Sequence, residues 1–202
     1  MAENKVRYGI QNVYVAFIKE DGTYDTPVAI PGARNLTTDP QGESNNWYAD
    51  NIPYVTFNSN AGYTGTLEMA YFPDTVLAQM LGWTIDANGA IVENADAIGK
   101  SFALLYEVKG DAKNRRNAFY NVSAARPSTN AQTQEASIDP QTESLNITMI
   151  PKKFTDDENV SRNLTKASME PSESNTAAYN AWFTTVYTPD FSESGESGIT
   201  GA

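Results

Sequence analysis

The chain has 202 residues, 40% of them hydrophobic, and a net charge of -11. It contains no cysteine and no histidine, which excludes disulfides, zinc sites built on those residues, and catalytic groups that need an imidazole. The net negative charge makes duplex DNA and anionic membranes poor binding partners, because proteins bind both mainly through lysine and arginine side chains. The length favours a single domain with a substantial core.

The N-terminal part of the chain predicts a β-hairpin and no membrane anchor. Residues 12–18 are rich in β-branched and aromatic side chains, the turn formers of residues 20–22 follow, and residues 27–30 can return as a second strand. The apolar run within the first strand is far shorter than the ~20 residues that span a bilayer. Since residues 1–5 hold no apolar leader segment, we expect synthesis in the cytosol.

Residues 34–62 form a long polar excursion that is rich in turn formers. Excursions of this length inside a compact domain are uncommon unless they are functional. Tryptophan and tyrosine are enriched at interface hot spots, so we interpret the segment as an arm that reaches a neighbouring molecule; the alternative is a flexible loop with incidental aromatics. The predicted contact residues of this arm are Asn46, Trp47, Tyr48 and Tyr54, and Phe57 lies in the same stretch.

The next two elements are the clearest in the sequence. Residues 63–72 alternate polar and apolar side chains, which predicts a strand with one wet and one dry face. Residues 74–82 carry one apolar stripe and predict a helix, with Asp74 or Thr75 as its N-cap and Gly82 in the left-handed position that ends it.

Further strands are predicted over residues 101–109, 117–126, 132–138 and 143–150, with hairpin turns at 86–89 and 139–142. In the strand 117–126, Tyr120 and Val122 are expected to point inward together. Residues 176–188 are apolar enough to dock on the domain as helix or strand, and residues 189–202 are a Gly/Ser/Glu-rich tail. The expected fold is mainly β, an antiparallel β-sandwich or partial barrel over residues 1–188 with one flanking helix.

The wet faces of the best strands are neutral or acidic, and none is basic. Such a pattern fits an ordinary solvent-facing sheet, and it also fits the lining of a polar, mildly acidic channel. The candidate lining residues are Thr66, Glu68, Asn121, Ser123, Glu135, Asn146 and Thr148.

Charged clusters give no catalytic or metal signal. The carboxylates at 156–158 and at Glu170 and Glu173 lack the spacing and glycine of a calcium loop. The basic loop 109–116 is interpreted as an intersubunit salt bridge or a solvated tip, with phosphate binding as the weaker alternative. No catalytic, cofactor-binding or metal residue is predicted, and we expect no enzymatic activity.

Several stretches resemble the major tail tube proteins of bacteriophages with long non-contractile tails. The resemblance spans residues 6–188 and is strongest over residues 7–14, 58–72, 74–83, 102–110, 116–126 and 133–151. It implies a β-sandwich-like domain with a flanking helix. The resemblance further implies that six such subunits form a ring, that each adds antiparallel strands to a barrel around a lumen, and that the arm 34–62 reaches an adjacent ring in the stacked tube.

The resemblance also implies partners and a location. The partners are other copies of the chain, a tape-measure protein, the tail terminator and distal tail proteins, and genomic DNA that passes without specific binding; no membrane is involved. The expected location is the virion tail, with assembly in the host cytoplasm. An acidic or neutral lumen suits this role because it repels phosphate over a Debye length of ~8–10 Å.

Two other function classes remain open on the residues alone. A monomeric β-sandwich that binds carbohydrate or protein would use Trp47, Tyr48 and Tyr54 as a ligand platform. A hydrolase would need two carboxyl groups held across a cleft.

Overall fold

The fold is mainly β and antiparallel throughout, as the sequence predicts. The computed structural model describes residues 7–127, 133, 141–155 and 160–191. The helices are α1 (Asp74–Leu81) and α2 (Thr176–Ala181). The strands are β1 (Ile10–Phe17), β2 (Val28–Ala29), β3 (Ala33–Gln41), β4 (Ser44–Ala49), β5 (Ile52–Asn58), β6 (Gly62–Met69), β7 (Thr84–Ile85), β8 (Ile91–Val92), β9 (Phe102–Val108), β10 (Arg116–Ala124), β11 (Glu143–Met149), β12 (Lys152–Thr155), β13 (Ser161–Leu164) and β14 (Lys166–Met169).

One large sheet organises the domain, in the order β2-β1-β9-β10-β11-β6-β3. Strand β14 pairs with the first half of β10, and β11 pairs with its second half. The sheet curls until β1 and β3 pack near each other without a ladder between them. The result is a partial barrel with an open seam between β1 and β3, consistent with the predicted architecture.

The concave side of this sheet holds the main core. Alternating residues of β6 and β11 point inward, among them Leu67, Leu145 and Ile147, because successive side chains of a strand face opposite ways. Helix α1 packs onto the same core through Val76 and Met80.

A second, smaller core covers part of the convex side. Trp182, directly after α2, is fully buried against Leu105 and Ala118. Its indole Nε1 donates to the carbonyl of Asn117 at 3.3 Å. This cluster covers the β9–β10 half of the convex side, whereas the outward side chains of β11, β6 and β3 remain largely exposed.

Two local predictions are wrong. The N-cap of α1 is Pro73 with no side-chain cap, and Asp74 instead accepts a hydrogen bond from the hydroxyl of Tyr71. Tyr120 and Val122 do not share the main core, because the β9–β10 ladder slips by one residue between Phe119 and Val122. That bulge places Phe119 and Val122 in the core, while Tyr120 packs against Phe154. Gly82 does adopt the left-handed conformation that ends α1, with φ of 73°.

The projecting arm contains fewer residues than the predicted range 34–62. Residues 33–41 and 62–69 are β3 and β6 of the main sheet, and the projecting part is the separate hairpin β4–β5. The sequence also missed β12, β13 and β14, whose short polar segments lack strong alternation. The segment 176–188, which the sequence leaves open between helix and strand, contains helix α2, so the described residues hold two helices where the sequence predicts one. The predicted strand 132–138, the turn 139–140, Glu135, the carboxylates at 156–158 and the tail from residue 192 lie outside the described residues.

Candidate assembly surfaces

Outward side chains of four neighbouring strands form one continuous surface, here called the polar face. The ladder places Thr64 opposite Thr148 and Asp39, and Thr66 opposite Asn146 and Thr37. The strand β10 adds Ser123 beside Thr148. The polar face comprises Asn35, Thr37, Asp39, Gln41, Thr64, Thr66, Glu68, Ser123, Ser144, Asn146 and Thr148.

Five of the predicted lining residues meet on this polar face. They are Thr66, Glu68, Ser123, Asn146 and Thr148, and strand alternation from Ser123 places Asn121 on the same side. The hydroxyl of Thr66 donates to the side-chain oxygen of Asn146 at 3.2 Å. The structure thus gathers residues from three sequence segments into a single surface.

The polar face carries almost no positive charge. Its acidic members are Asp39 and Glu68. The four strands that form it contain two cations, Arg34, which contacts Glu68, and Arg116, which pairs with Glu107 of β9. The Arg34 guanidinium lies 3.1 Å from a carboxylate oxygen of Glu68, which also accepts the hydroxyl of Thr142 at 2.6 Å. The arginine is therefore paired, and no lysine belongs to the described part of this face.

The hairpin β4–β5, here called the arm, projects without support from the main sheet. Asp50 and Asn51 form its tip with φ of 52° and 64°, the pair of positive values that a two-residue type I′ turn needs. From Gln41 to Asp50 the ribbon reaches roughly 30 Å at the usual strand rise. Both of its outer edges lack a strand partner among the described residues.

A β-bulge sorts the arm's side chains into two different faces. Trp47 lies opposite Val55 whereas Tyr48 lies opposite Pro53, so Tyr54 is the extra residue. The bulge turns Tyr54 to the side of Trp47, whose ring it meets edge-on at a centroid distance of 6.0 Å. Members of the apolar arm face are Trp47, Ala49, Ile52, Tyr54, Val55 and Phe57.

The opposite arm face is mainly polar. Asn46 and Thr56 are paired across the strands, and the hydroxyl of Thr56 donates to the side-chain oxygen of Asn46 at 2.7 Å. Tyr48 belongs to this face. Of the predicted contact residues, Trp47 and Tyr54 are therefore together, while Asn46 and Tyr48 point the other way. Sequence reasoning missed Ile52 and Val55, because the bulge that aligns them with Trp47 leaves no signature in the composition.

The apolar arm face is open to solvent. Trp47 is 58% exposed, Ile52 59%, Tyr54 68% and Phe57 62%. Leaving large aromatic side chains at such exposure in a monomer is costly, and contiguous apolar patches of this kind mark interaction sites. The three aromatic residues of the alternative ligand platform do not share one face of the hairpin. Tyr48 is on the mainly polar face, whereas Trp47 and Tyr54 are on the apolar arm face.

Charge is unevenly distributed along the chain. Residues 35–99 contain eight acidic residues and not one lysine or arginine. This stretch supplies the arm, most of the polar face, α1 and the β7–β8 hairpin, and its eight carboxylates account for most of the net charge of -11. The cations lie in the rest of the chain.

The basic loop 109–116 forms its ion pairs within the chain. Buried Asp111 binds the guanidinium of Arg115 at 2.9 Å, and Lys113 reaches Glu170 at 3.0 Å. Arg116 pairs with Glu107 at 2.8 Å. These pairs leave little unpaired positive charge for phosphate, and they make the loop a packing element of the domain.

The described residues offer no further chemical centre. No group of three or more acidic side chains within them is placed to hold a metal ion, and none of their helices has the length and apolar character to cross a membrane. Burial raises the pKa of Tyr106 to about 12 and also raises the pKa of Tyr120, as expected for phenols in a core.

Comparisons with known proteins give similarity in structure but none in sequence. No protein-family model and no curated protein matches the chain. Among solved structures, the chain is similar to a chain in the cryo-EM structure of the anti-feeding prophage (AFP) baseplate, 6-fold symmetrised, with a TM-score of 0.40 and 9% sequence identity. The match covers 84% of this chain and 98% of that chain.

Proposed function

We propose that the chain is the structural subunit of a phage tail tube, in which six-membered rings stack around a bore that conducts the genome. The observation that carries the proposal is an exposed apolar arm that projects from the same sheet that presents the polar face. The apolar arm face would be covered by a protein partner, whereas the polar face would stay hydrated and would not bind the DNA that passes along it.

The arm supports self-association. With usual side-chain sizes, the exposed part of the apolar arm face amounts to roughly 600 Å², close to one partner's share of a standard protein interface. The free edges of the arm and of β3 add unpaired backbone groups, which proteins normally cover or pair. Assembly with further copies would bury both features.

The polar face supports a lumen. If six copies each add β11, β6, β3 and the end of β10 beyond Val122, which β9 does not pair, strands about 4.8 Å apart close a barrel roughly 37 Å across between backbones, and strand tilt widens it. This leaves room for a DNA duplex inside the side chains. Because the face holds Asp39, Glu68 and otherwise neutral groups, it repels phosphate at short range and does not retain DNA.

The remaining parts of the proposal concern partners and location. The bore would form around a tape-measure protein, its ends would contact tail terminator and distal tail proteins, and the subunit would reside in the virion tail after assembly in the host cytoplasm. The role is structural, without a catalytic step.

Electron microscopy of the purified full-length chain tests the proposal. Six-fold rings or long hollow tubes support it. A monodisperse monomer at all concentrations, above all one that binds carbohydrate in a glycan-binding assay, refutes it in favour of the binding-module alternative.

A further inference from the structure

A cleft of about 280 Å³ opens at the seam between β1 and β3. Its lining includes the apolar side chains of Ile10, Leu36 and Val108, and Arg7 and Arg34 are its cations. Among the described residues, no strand pairs with the outer edge of β3. The cleft therefore combines an apolar floor with two guanidinium groups.

The two arginines remain accessible. Arg7 lies 3.4 Å from Asp111 and Arg34 lies 3.1 Å from Glu68, yet the arginine side chains are 58% and 63% exposed. Each can meet a further carboxylate without leaving its present partner, since a guanidinium carries five donors.

The arm has the complementary features. It presents a contiguous apolar face with Trp47 at its centre, and its charged residues Glu43 and Asp50 are both acidic.

The arm cannot fill the cleft of its own chain. The cleft lies beside Arg34 and Leu36 near the start of β3, and β3 runs from there to Gln41, where the arm begins. The arm continues outward from that end, so its tip points away from the cleft. An arm can therefore reach this kind of cleft only on another molecule.

We infer that the seam cleft receives the apolar arm face of a second copy of this chain, with Trp47 as the anchor and the arm's carboxylates facing Arg7 and Arg34. This inference rests on the proposed function, because it names the surface that the arm binds in the assembly. The contact is heterologous, arm to cleft, so it propagates from copy to copy.

A second exposed apolar patch among the described residues fits the arm less well. It consists of Ile85, Ile91 and Val92 on the β7–β8 hairpin. Its neighbours in the chain are Asp86, Glu93 and Asp96, and Arg126 is the cation paired there, at 3.0 Å from Glu93. An acidic arm would meet like charge at this patch, which disfavours the pairing.

Disulfide trapping tests the inference in a clean background, because the chain has no cysteine. A Val55→Cys chain is mixed with a Thr38→Cys chain under mild oxidation, and Thr56→Cys replaces Val55→Cys in the matched control. Residues 55 and 56 are neighbours on β5 that face opposite ways. We expect at least tenfold more intermolecular product from Val55→Cys than from Thr56→Cys. Asn35→Cys, at the exposed side of the cleft, serves as a second cleft position should Thr38→Cys fold poorly.

The outcomes separate this inference from the proposed function. Equal or absent cross-linking while tubes form overturns the cleft assignment and leaves the tube standing. Cross-linking without rings or tubes supports the arm–cleft contact and refutes the tube. Cross-linking of the arm to a cysteine at Ile91 instead assigns the arm to the β7–β8 patch. A Thr38→Cys thiol that resists alkylation in dilute monomer means that the chain's own residues fill the cleft, which also overturns the inference.

Discussion

The two faces of the arm can be separated by adjacent substitutions. Trp47 and Tyr48 are neighbours on β4 with nearly equal exposure, 58% and 60%, and they lie on opposite faces. We expect Trp47→Ser to impair assembly strongly and Tyr48→Ser to impair it weakly, although composition alone treats the two residues alike.

The magnitude follows from the area that assembly covers. An indole side chain offers up to about 250 Å², so covering the exposed part of Trp47 buries roughly 145 Å² and, at about 25 cal/mol per Å², contributes about 3.6 kcal/mol. Its loss corresponds to a rise of roughly four-hundredfold in the critical concentration for assembly. The monomer should lose no more than about 0.5 kcal/mol, because the side chain makes few contacts within its own chain.

Light scattering at increasing protein concentration measures the critical concentration, and thermal unfolding of dilute monomer serves as the control. A Trp47→Ser chain that assembles at the wild-type concentration refutes the docking role of the apolar arm face. Equal shifts for the two variants refute the face assignment, since the bulge would then not separate their functions.

Three further predictions concern the polar face and the core. Glu68→Lys should still allow tubes but slow DNA passage, because it adds a cation to the proposed bore; infectivity equal to that of Glu68→Gln would remove Glu68 from the lumen. Since burial raises the pKa of Tyr106 to about 12 and raises that of Tyr120, unfolded tyrosines ionise first as pH rises. These two tyrosines should therefore leave the free energy of unfolding unchanged up to about pH 10 and then lower it by about 1.4 kcal/mol per pH unit for each of them. A denaturation midpoint at pH 12 equal to that at pH 9 would contradict this. Gly65→Ala should lower the melting temperature by more than about 4 °C, because a Cβ at this position would lie 2.0 Å from the carbonyl oxygen of Thr37. Thr64→Ala, on the same strand, is the control. A melting temperature of Gly65→Ala equal to that of the wild type would show that β3 can move away from the added methyl group without loss of stability.

Sequence patterns located the strongly alternating elements well. The strands around Leu67 and Leu145 and the helix that ends at Gly82 follow directly from periodicity and glycine placement, because burial on one face leaves a regular trace along the chain. Short elements escaped for the same reason: β12 to β14 span four residues each, too few for a period to emerge.

Bulges were the main source of error. In β10 the slip near Tyr120 removed that side chain from the main core, and in the arm the extra residue Tyr54 brought Val55 and Trp47 onto one face. A bulge changes the phase of every residue beyond it, and its position depends on the partner strand. Alternation read along one strand therefore cannot reveal it.

The amino-acid sequence by itself determined the chemistry of the surfaces: an acidic chain without cysteine or histidine, with wet strand faces free of lysine and aromatic residues in a polar excursion. Composition and residue spacing are properties of the linear sequence, so they can be determined without knowledge of the fold. Only the tertiary structure decided which of these residues meet. It joined β10, β11, β6 and β3 into one polar face, sorted the arm into two faces and opened the cleft at the seam, because strand order and register are set by contacts between residues far apart in the chain.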